Sequence, residues 1–179
     1  MNVLAKEQSA TSLYERILTK IESREFSPKT VPTELQLKVL EAARQTGSGI
    51  NAQHWRFILV RDKENLERLA ADSTTGKWVA KANFAVIVLT DPKYDFHMID
   101  AGRAIQSMML AAWAFGVASG IYTGVDLKAM ARDFGIPSSM NLTAVVGFGY
   151  PAKPIKGRKS RRPLAELAFL ERFGEKLDL

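Results

Sequence analysis

The chain has 179 residues, of which 46% are hydrophobic and 25% are charged, a balance typical of one soluble globular domain with a substantial core. It contains no cysteine, which excludes disulfides, thiolate nucleophiles and cysteine-ligated metals. With only two histidines, a histidine-rich metal centre is not expected. No apolar run reaches the roughly 18 residues of a membrane span, and residues 1–7 lack the apolar core of a signal peptide. We therefore expect a single cytoplasmic domain over residues 1–179, without a metal or a membrane partner.

The charge is unevenly distributed. A net charge of +6 and a pI near 9.6 are compatible with nucleic acid, a membrane surface or a phosphorylated ligand as partner. The basic residues are concentrated between Lys153 and Arg162. A solvated basic tail is the simplest structural interpretation of such a cluster, so the cluster alone does not select among these partners.

Hydrophobic periodicity predicts the secondary structure in chain order. Apolar residues at helical spacing predict helices over 10–22, 33–45, 63–72, 98–117 and 127–134, and a final helix from Arg162 onward. Apolar runs predict strands over 56–61, 84–90 and 143–150. The strand over 84–90 has no polar residue before Thr90 and is expected to be buried on both faces. The polar segments 46–55, 73–77 and 119–125 are predicted loops.

Two further features of the elements can be predicted. Asp62 and Asp126 each precede a predicted helix and are expected to cap its N-terminus. The helix over 98–117 is apolar on nearly all sides, so it must be covered in the core or at a subunit interface. Because helices and strands interleave without strict alternation, we expect an α+β fold in which helices flank a sheet.

The loop from Thr46 to Trp55 contains the residues Gly, Ser, Asn and Gln. Such residues offer backbone N–H groups, a hydroxyl and amides at close range, which suits a polar, planar or phosphorylated ligand. On spacing alone, a glycine-containing helix C-cap followed by polar turn residues is the better explanation of the segment.

This loop resembles the Pro-Ser-x-x-Asn-x-Gln-Pro-Trp signature of the FMN-dependent nitroreductase family. Gly47 and His54 stand where the family has its two prolines. Lys20 to Phe26 is similar to the family's Arg-x-Ser-x-Arg-x-Phe segment, with Glu22 where the family usually has serine. The segment 100–116 resembles the long central helix of the family, and residues 159–161 resemble its Lys-x-Arg before the final helix.

The resemblance implies a nitroreductase-like three-layer fold: a dimer whose central mixed or antiparallel sheet is flanked by helices, with FMN bound at the subunit interface. By position, Lys20 would contact the FMN phosphate and Arg24 the flavin ring near N1. At the position of the missing serine, either Ser23 substitutes through a local shift or Glu22 turns away from the phosphate. Arg24 would then favour negative charge on the ring. Lys159 and Arg161 would clamp the phosphate, which explains the basic cluster without nucleic acid.

The resemblance also assigns the loops. The signature loop would reach the flavin from the other subunit, and the backbone of the loop after the central helix would face flavin N5. Lys77 would lie near the flavin or the nicotinamide, although a surface lysine is an equally good interpretation. The residues expected in these loops are Gly47, Ser48, Gly49, Asn51, Gln53, Lys77, Tyr122, Thr123 and Gly124.

The activity implied is a ping-pong transfer of hydride from NADH or NADPH, through FMN, to an electron-poor acceptor such as a nitroaromatic or a quinone. No catalytic side chain is expected, because FMN carries the redox chemistry. Relatives with the same fold carry out dehalogenation, flavin fragmentation or dehydrogenation, and these alternatives stay open. A non-catalytic flavin-binding or nucleic-acid-binding protein stays open as well. The affinity of a nucleic-acid-binding protein for its ligand should fall steeply with salt, and that protein should purify without colour.

Overall fold

The computed structural model describes residues 13–157 and 159–177. Within them, four strands form one antiparallel sheet in the order β1-β2-β4-β3. The strands are β1 (Arg56–Val60), β2 (Phe84–Thr90), β3 (Ala118–Tyr122) and β4 (Asn141–Gly149). Arg56 pairs with Leu89, Phe84 with Phe148, and Ala118 with Gly149. The expected α+β sheet is thus confirmed and is antiparallel throughout.

Five helices accompany the sheet in the described residues: α1, described over 13–19, α2 (Thr33–Arg44), α3 (Lys63–Ala71), α4 (His97–Ala114) and α5 (Leu127–Phe134). Both predicted caps are present. The carboxylate of Asp62 accepts the N–H groups of Glu64 and Asn65, and that of Asp126 accepts those of Lys128 and Ala129. α5 ends where Gly135 adopts a left-handed conformation, at φ 64°, which glycine tolerates without strain.

The side chains of β2 alternate between two cores. Phe84, Val86 and Val88 pack with α2 and α4 on one face of the sheet. Ala85 and Ile87 pack with α3 and with Met130 of α5 on the other. Every residue of β2 is buried, as its continuous apolar run predicted. The expected arrangement of a sheet between two helical layers is confirmed.

The first difference from the sequence prediction concerns residues 119–122, which form the edge strand β3 rather than a loop. Ser119 and Gly120 have low strand propensity, but pairing with β4 overrides it. The first helix also ends earlier than predicted, because residues 20–26 run beside this edge. The N–H of Ser23 donates to the carbonyl of Ser119 at 2.9 Å, and Phe26 bridges to Pro151. Residues 10–12 of that predicted helix lie outside the described residues.

The second difference is at the C-terminus, where the predicted final helix is absent from the described residues. The segment forms a short 3-10 turn at Leu164–Glu166 and continues without regular helix to residue 177. Its apolar side chains remain exposed, including Leu164, Leu167 and Phe173. A short helix gains most of its stability from burying an apolar face. Among the described residues, this segment packs Phe169 against Phe173 but leaves most of its apolar side chains exposed.

Within the same residues, no helix combines the length and apolar character needed to cross a membrane.

Candidate functional site

Three of the predicted residues surround one cavity. Lys20, Lys159 and Arg161 line a space of about 370 Å³ together with Ile21, Glu22 and Gln106. Lys20 follows α1 and is buried, with its Nζ 3.9 Å from Sδ of Met109 on α4. Nζ of Lys159 donates to the carbonyl of Ile17 at 3.0 Å, which ties the C-terminal segment to the end of α1. The fold therefore brings together basic residues from opposite ends of the chain.

The cavity is electropositive. Burial lowers the pKa of Lys20, and the charge of Lys159 acts in the same direction, whereas the Glu22 carboxylate raises it. Three basic side chains face one carboxylate. Arg binds phosphate oxygens through paired N–H groups and Lys adds a point charge, so the donor set fits a phosphate group.

A second cavity, of about 590 Å³, adjoins the first, because Glu22 lines both. Ser23, Arg24 and Glu25 form one wall, and the segment 153–156 forms the other. The Ser23 hydroxyl donates to the carbonyl of Glu25 and accepts its N–H. It therefore shapes the local turn, and Ser23 does not line the cavity around Lys20. Arg24 thus lies next to, but not in, the cavity that contains Lys20.

Trp78 connects Arg24 to the sheet and was missed by the sequence analysis. The Arg24 guanidinium lies 5.9 Å from the centroid of the Trp78 ring, which also packs edge-on to Tyr122 at 5.7 Å. Gly120 and Gly147 make room for the indole, since a Cβ at Gly147 would lie 2.7 Å from it. Trp78 Nε1 is buried and has no hydrogen-bond partner among the described residues. The sequence signal that could have identified Trp78 is its position directly after Lys77, at the end of a predicted polar loop.

The segment after β3 packs beside the loop before β2. The N–H of Thr74 donates to the carbonyl of Gly124 at 2.8 Å, and a Cβ at Gly124 would collide with Thr74 and Thr75. Tyr122 is buried in the core, where burial raises the pKa of its phenol, so a ligand could contact only its backbone. Thr123 is exposed.

Lys77 does not line the cavity around Lys20. Its Nζ donates to the carbonyl of Ala71 at 3.0 Å, and the side chain is exposed. A cation next to the last carbonyls of a helix interacts favourably with the helix dipole. In one protomer, therefore, Lys77 occupies the position of a surface lysine at the end of α3.

The signature loop has an unusual backbone. Ile50, Asn51 and Gln53 have φ of 47°, 55° and 46°, in the left-handed region that non-glycine residues rarely adopt. The Ser48 hydroxyl accepts the N–H of Gln53 at 3.0 Å, and a Cβ at Gly47 would lie 2.7 Å from the Arg103 guanidinium. Strained backbone of this kind persists only where surrounding contacts determine it.

Those contacts centre on Asp100, which the sequence analysis assigned only to the central helix. Its carboxylate accepts three hydrogen bonds. They come from the N–H of Gly49 at 2.9 Å, from Nε2 of His54 at 3.2 Å and from Nη1 of Arg103 at 3.4 Å. The His54 ring is surrounded by the rings of Trp55, Tyr94 and Phe96. The polar loop is thus attached to the first turns of α4. None of the loop residues lines the cavity around Lys20, so within one protomer they form a separate group.

The described residues include no group of three or more His, Cys, Asp or Glu side chains suited to holding a metal ion.

The sequence matches the model of the nitroreductase family over residues 22–91 and 71–150. A relative from Archaeoglobus fulgidus, described as a proposed NADH dehydrogenase/NAD(P)H nitroreductase, is 34% identical over 75% of this chain and 83% of its own length. An iodotyrosine deiodinase from Thermotoga neapolitana is 23% identical over 79% of this chain and 90% of its own length. The chain belongs to the nitroreductase family.

Solved structures agree with this assignment. An FMN-dependent nitroreductase from Clostridium difficile superposes with a TM-score of 0.80 at 23% identity, covering 87% of this chain and 96% of its own. A proposed nitroreductase from Desulfovibrio desulfuricans, solved in complex with FMN, superposes with a TM-score of 0.78 at 29% identity. It covers 90% of this chain and 97% of its own. The nitroreductase fold is therefore confirmed.

Proposed function

We propose that this chain is an FMN-dependent oxidoreductase that uses NADH or NADPH to reduce a small electron-poor acceptor, such as a nitroaromatic or a quinone. The observation that best supports the proposal is the meeting of Lys20, Lys159 and Arg161 around one cavity. Structural relatives of the chain include an FMN-dependent nitroreductase and a protein solved in complex with FMN. Nucleic acid is not needed to explain the positive charge.

The residues would act by binding and orientation. Lys20, Lys159 and Arg161 would hold the phosphate, and Arg24 would favour negative charge on the ring. Backbone N–H groups at Thr123 and Gly124, directly after Tyr122 at the end of β3, would donate hydrogen bonds to the ring edge. Bound FMN would supply the chemistry, taking hydride from the nicotinamide and passing two electrons to the acceptor. No side chain of the protein would act as an acid or nucleophile.

The signature loop would act across a subunit interface. Ile50 is 84% exposed at its tip, and Leu37, Ile99, Phe115 and Phe173 are also exposed apolar residues. Contact with a second copy of the chain would remove such side chains from water, which is favourable. We propose a homodimer in which Gly47, Ser48, Gly49, Asn51 and Gln53 of one protomer approach the flavin of its partner. The chain would form a single cytoplasmic domain. In the dimer, Lys77 would lie close enough to the shared site to contact nicotinamide or flavin.

The visible absorption spectrum tests the proposal. The purified protein, after incubation with FMN and removal of excess, should show flavin bands. Anaerobic addition of NADH and NADPH separately should bleach them and give the donor preference. Bands that persist after both additions would contradict an NAD(P)H oxidoreductase, and a protein that stays colourless would contradict flavin binding altogether.

Reductive dehalogenation is the second candidate, because the deiodinase relative aligns over most of its length. In this chain the connection from β2 to α4 is short, spanning residues 91–96, and it packs Tyr94 and Phe96 against His54. This leaves little chain for a lid that would enclose an iodotyrosine. Release of iodide from iodotyrosine by the dithionite-reduced protein would favour dehalogenation over nitroaromatic reduction.

A further inference from the structure

Glu22 is the carboxylate in the cavity that contains the three basic residues. Its Oε1 lies 3.4 Å from Nζ of Lys20. The Lys20 side chain is 8% exposed and that of Glu22 is 45% exposed. Glu22 thus reaches in from the open side of the cavity and pairs with an ammonium group that solvent scarcely reaches.

The buried ammonium needs a counter-ion. Desolvation disfavours its charged form, and Glu22 offsets that cost by a Coulombic interaction and a hydrogen bond. Lys159 and Arg161 cannot substitute for it because they carry the same charge. In the flavin-free protein, Glu22 therefore stabilises the arrangement of basic residues around the cavity.

A phosphate group bound in the same cavity would pair with the same ammonium group, that of Lys20. The phosphate and the carboxylate would then lie a few ångströms apart around one ammonium group, where like charges repel. Glu22 is partly exposed and can swing toward solvent, but Lys20 then exchanges one anionic partner for another. The net gain from binding a phosphate is smaller than it would be if residue 22 were neutral.

We propose that Glu22 is a specificity-determining residue that competes with the ligand phosphate for Lys20 and so lowers the preference of this protein for FMN over riboflavin. The inference rests on the proposed function, which assigns the cavity around Lys20 to the flavin phosphate. It follows from residues of this chain, since an uncharged side chain at position 22 would not compete with the phosphate.

The test compares FMN with riboflavin, which has the same ring but no phosphate. Dissociation constants of both flavins are measured by quenching of flavin fluorescence, at low and at high ionic strength. The proteins are the wild type, Glu22→Gln, Glu22→Ser and Glu67→Gln. Glu67→Gln is the matched control, because Glu67 is an exposed carboxylate on α3 that pairs with Lys63 at 3.9 Å and lines neither cavity. Circular dichroism checks that each variant is folded.

We expect Glu22→Gln and Glu22→Ser to bind FMN about tenfold more tightly at low ionic strength, with riboflavin unchanged. The gain should shrink at high salt, because screening weakens the repulsion, and Glu67→Gln should match the wild type. Equal changes for both flavins, or none, would overturn the inference while leaving the proposed function intact. If the wild type and every variant bind neither flavin, the proposed function fails and the inference falls with it.

Discussion

Nε2 of His54 lies 3.2 Å from Oδ2 of Asp100, and the two side chains are 1% and 2% exposed. The imidazole donates to a carboxylate that also accepts the Gly49 N–H and one Arg103 N–H. Nδ1 of His54 is buried without a hydrogen-bond partner among the described residues. His54 stands where the family signature has proline, which cannot donate a hydrogen bond. In this chain, therefore, a hydrogen-bond network around Asp100 fixes the end of the loop.

Removing the imidazole should destabilise the protein. His54→Phe keeps a ring among the neighbouring aromatic residues but leaves the buried Asp100 carboxylate with one donor fewer. We expect a loss of about 2–4 kcal/mol in the free energy of unfolding, measured by urea denaturation. His97→Ala is the control, because His97 is only half-buried and its partner Thr90 keeps a contact to Thr143. Equal losses in the two variants would contradict the special role of the pair.

Lys20→Met should weaken FMN more than riboflavin. If Lys20 holds the phosphate as proposed, the variant removes a charge-assisted hydrogen bond, so FMN affinity should fall roughly 10- to 100-fold. The flavin-free protein should lose little stability, because the buried charge and its desolvation cost disappear together. Flavin fluorescence measures the affinity and thermal unfolding the stability. Lys128→Met, a change of the same kind at an exposed position on α5, should alter neither.

Gly120→Ala should disrupt the contact between β3 and the segment 20–26. The added Cβ would lie 2.8 Å from the carbonyl oxygen of Ser23 and 3.0 Å from the Trp78 ring, and the backbone atom cannot rotate away. We expect a loss of about 1–3 kcal/mol, measured as a drop in melting temperature. Gly102→Ala on α4 is the matched control. Its Cβ would meet nothing within 4 Å, so it should stabilise the helix by up to about 1 kcal/mol. Similar shifts in both variants would be inconsistent with this packing.

Asp72→Asn should stabilise the protein at neutral pH. Burial, followed by the nearby Asp133 carboxylate, raises the pKa of Asp72 above its usual range. A carboxyl group with a raised folded-state pKa favours folding only while it is protonated, and that contribution is lost as the pH rises through its pKa. Asparagine cannot ionise, so the substitution removes the free-energy cost of the negative charge at this position. The melting temperature should therefore rise at pH 7 and the gain should vanish near pH 3. A gain that is the same at both pH values would show that ionisation is not its cause.

The local sequence pattern was sufficient to predict an element wherever residues close together in the chain supply the interactions that form it. The helix starts at Asp62 and Asp126 depend on hydrogen bonds within three residues, and the burial of β2 follows from its unbroken apolar run. The strand β3 was missed because Ser119 and Gly120 carry no strand signal of their own. Their conformation depends on β4, more than twenty residues later in the chain. The final helix was wrongly predicted because its apolar spacing has no surface to cover within the described part of one protomer.

The candidate site likewise has properties that the sequence shows and relationships that only the fold shows. The sequence alone determined which residues carry charge and which loop offers polar groups, because these properties belong to residue types and their order. Only the tertiary structure decided that Lys20, Lys159 and Arg161 share a cavity, that Glu22 pairs with the buried ammonium, and that Lys77 lies at the end of α3. The cavity joins segments far apart in the chain, since Lys159 donates to the carbonyl of Ile17 and Lys20 is buried against Met109 of α4. The Lys20–Glu22 pair is local in the chain, but its burial depends on this packing, which no local pattern encodes.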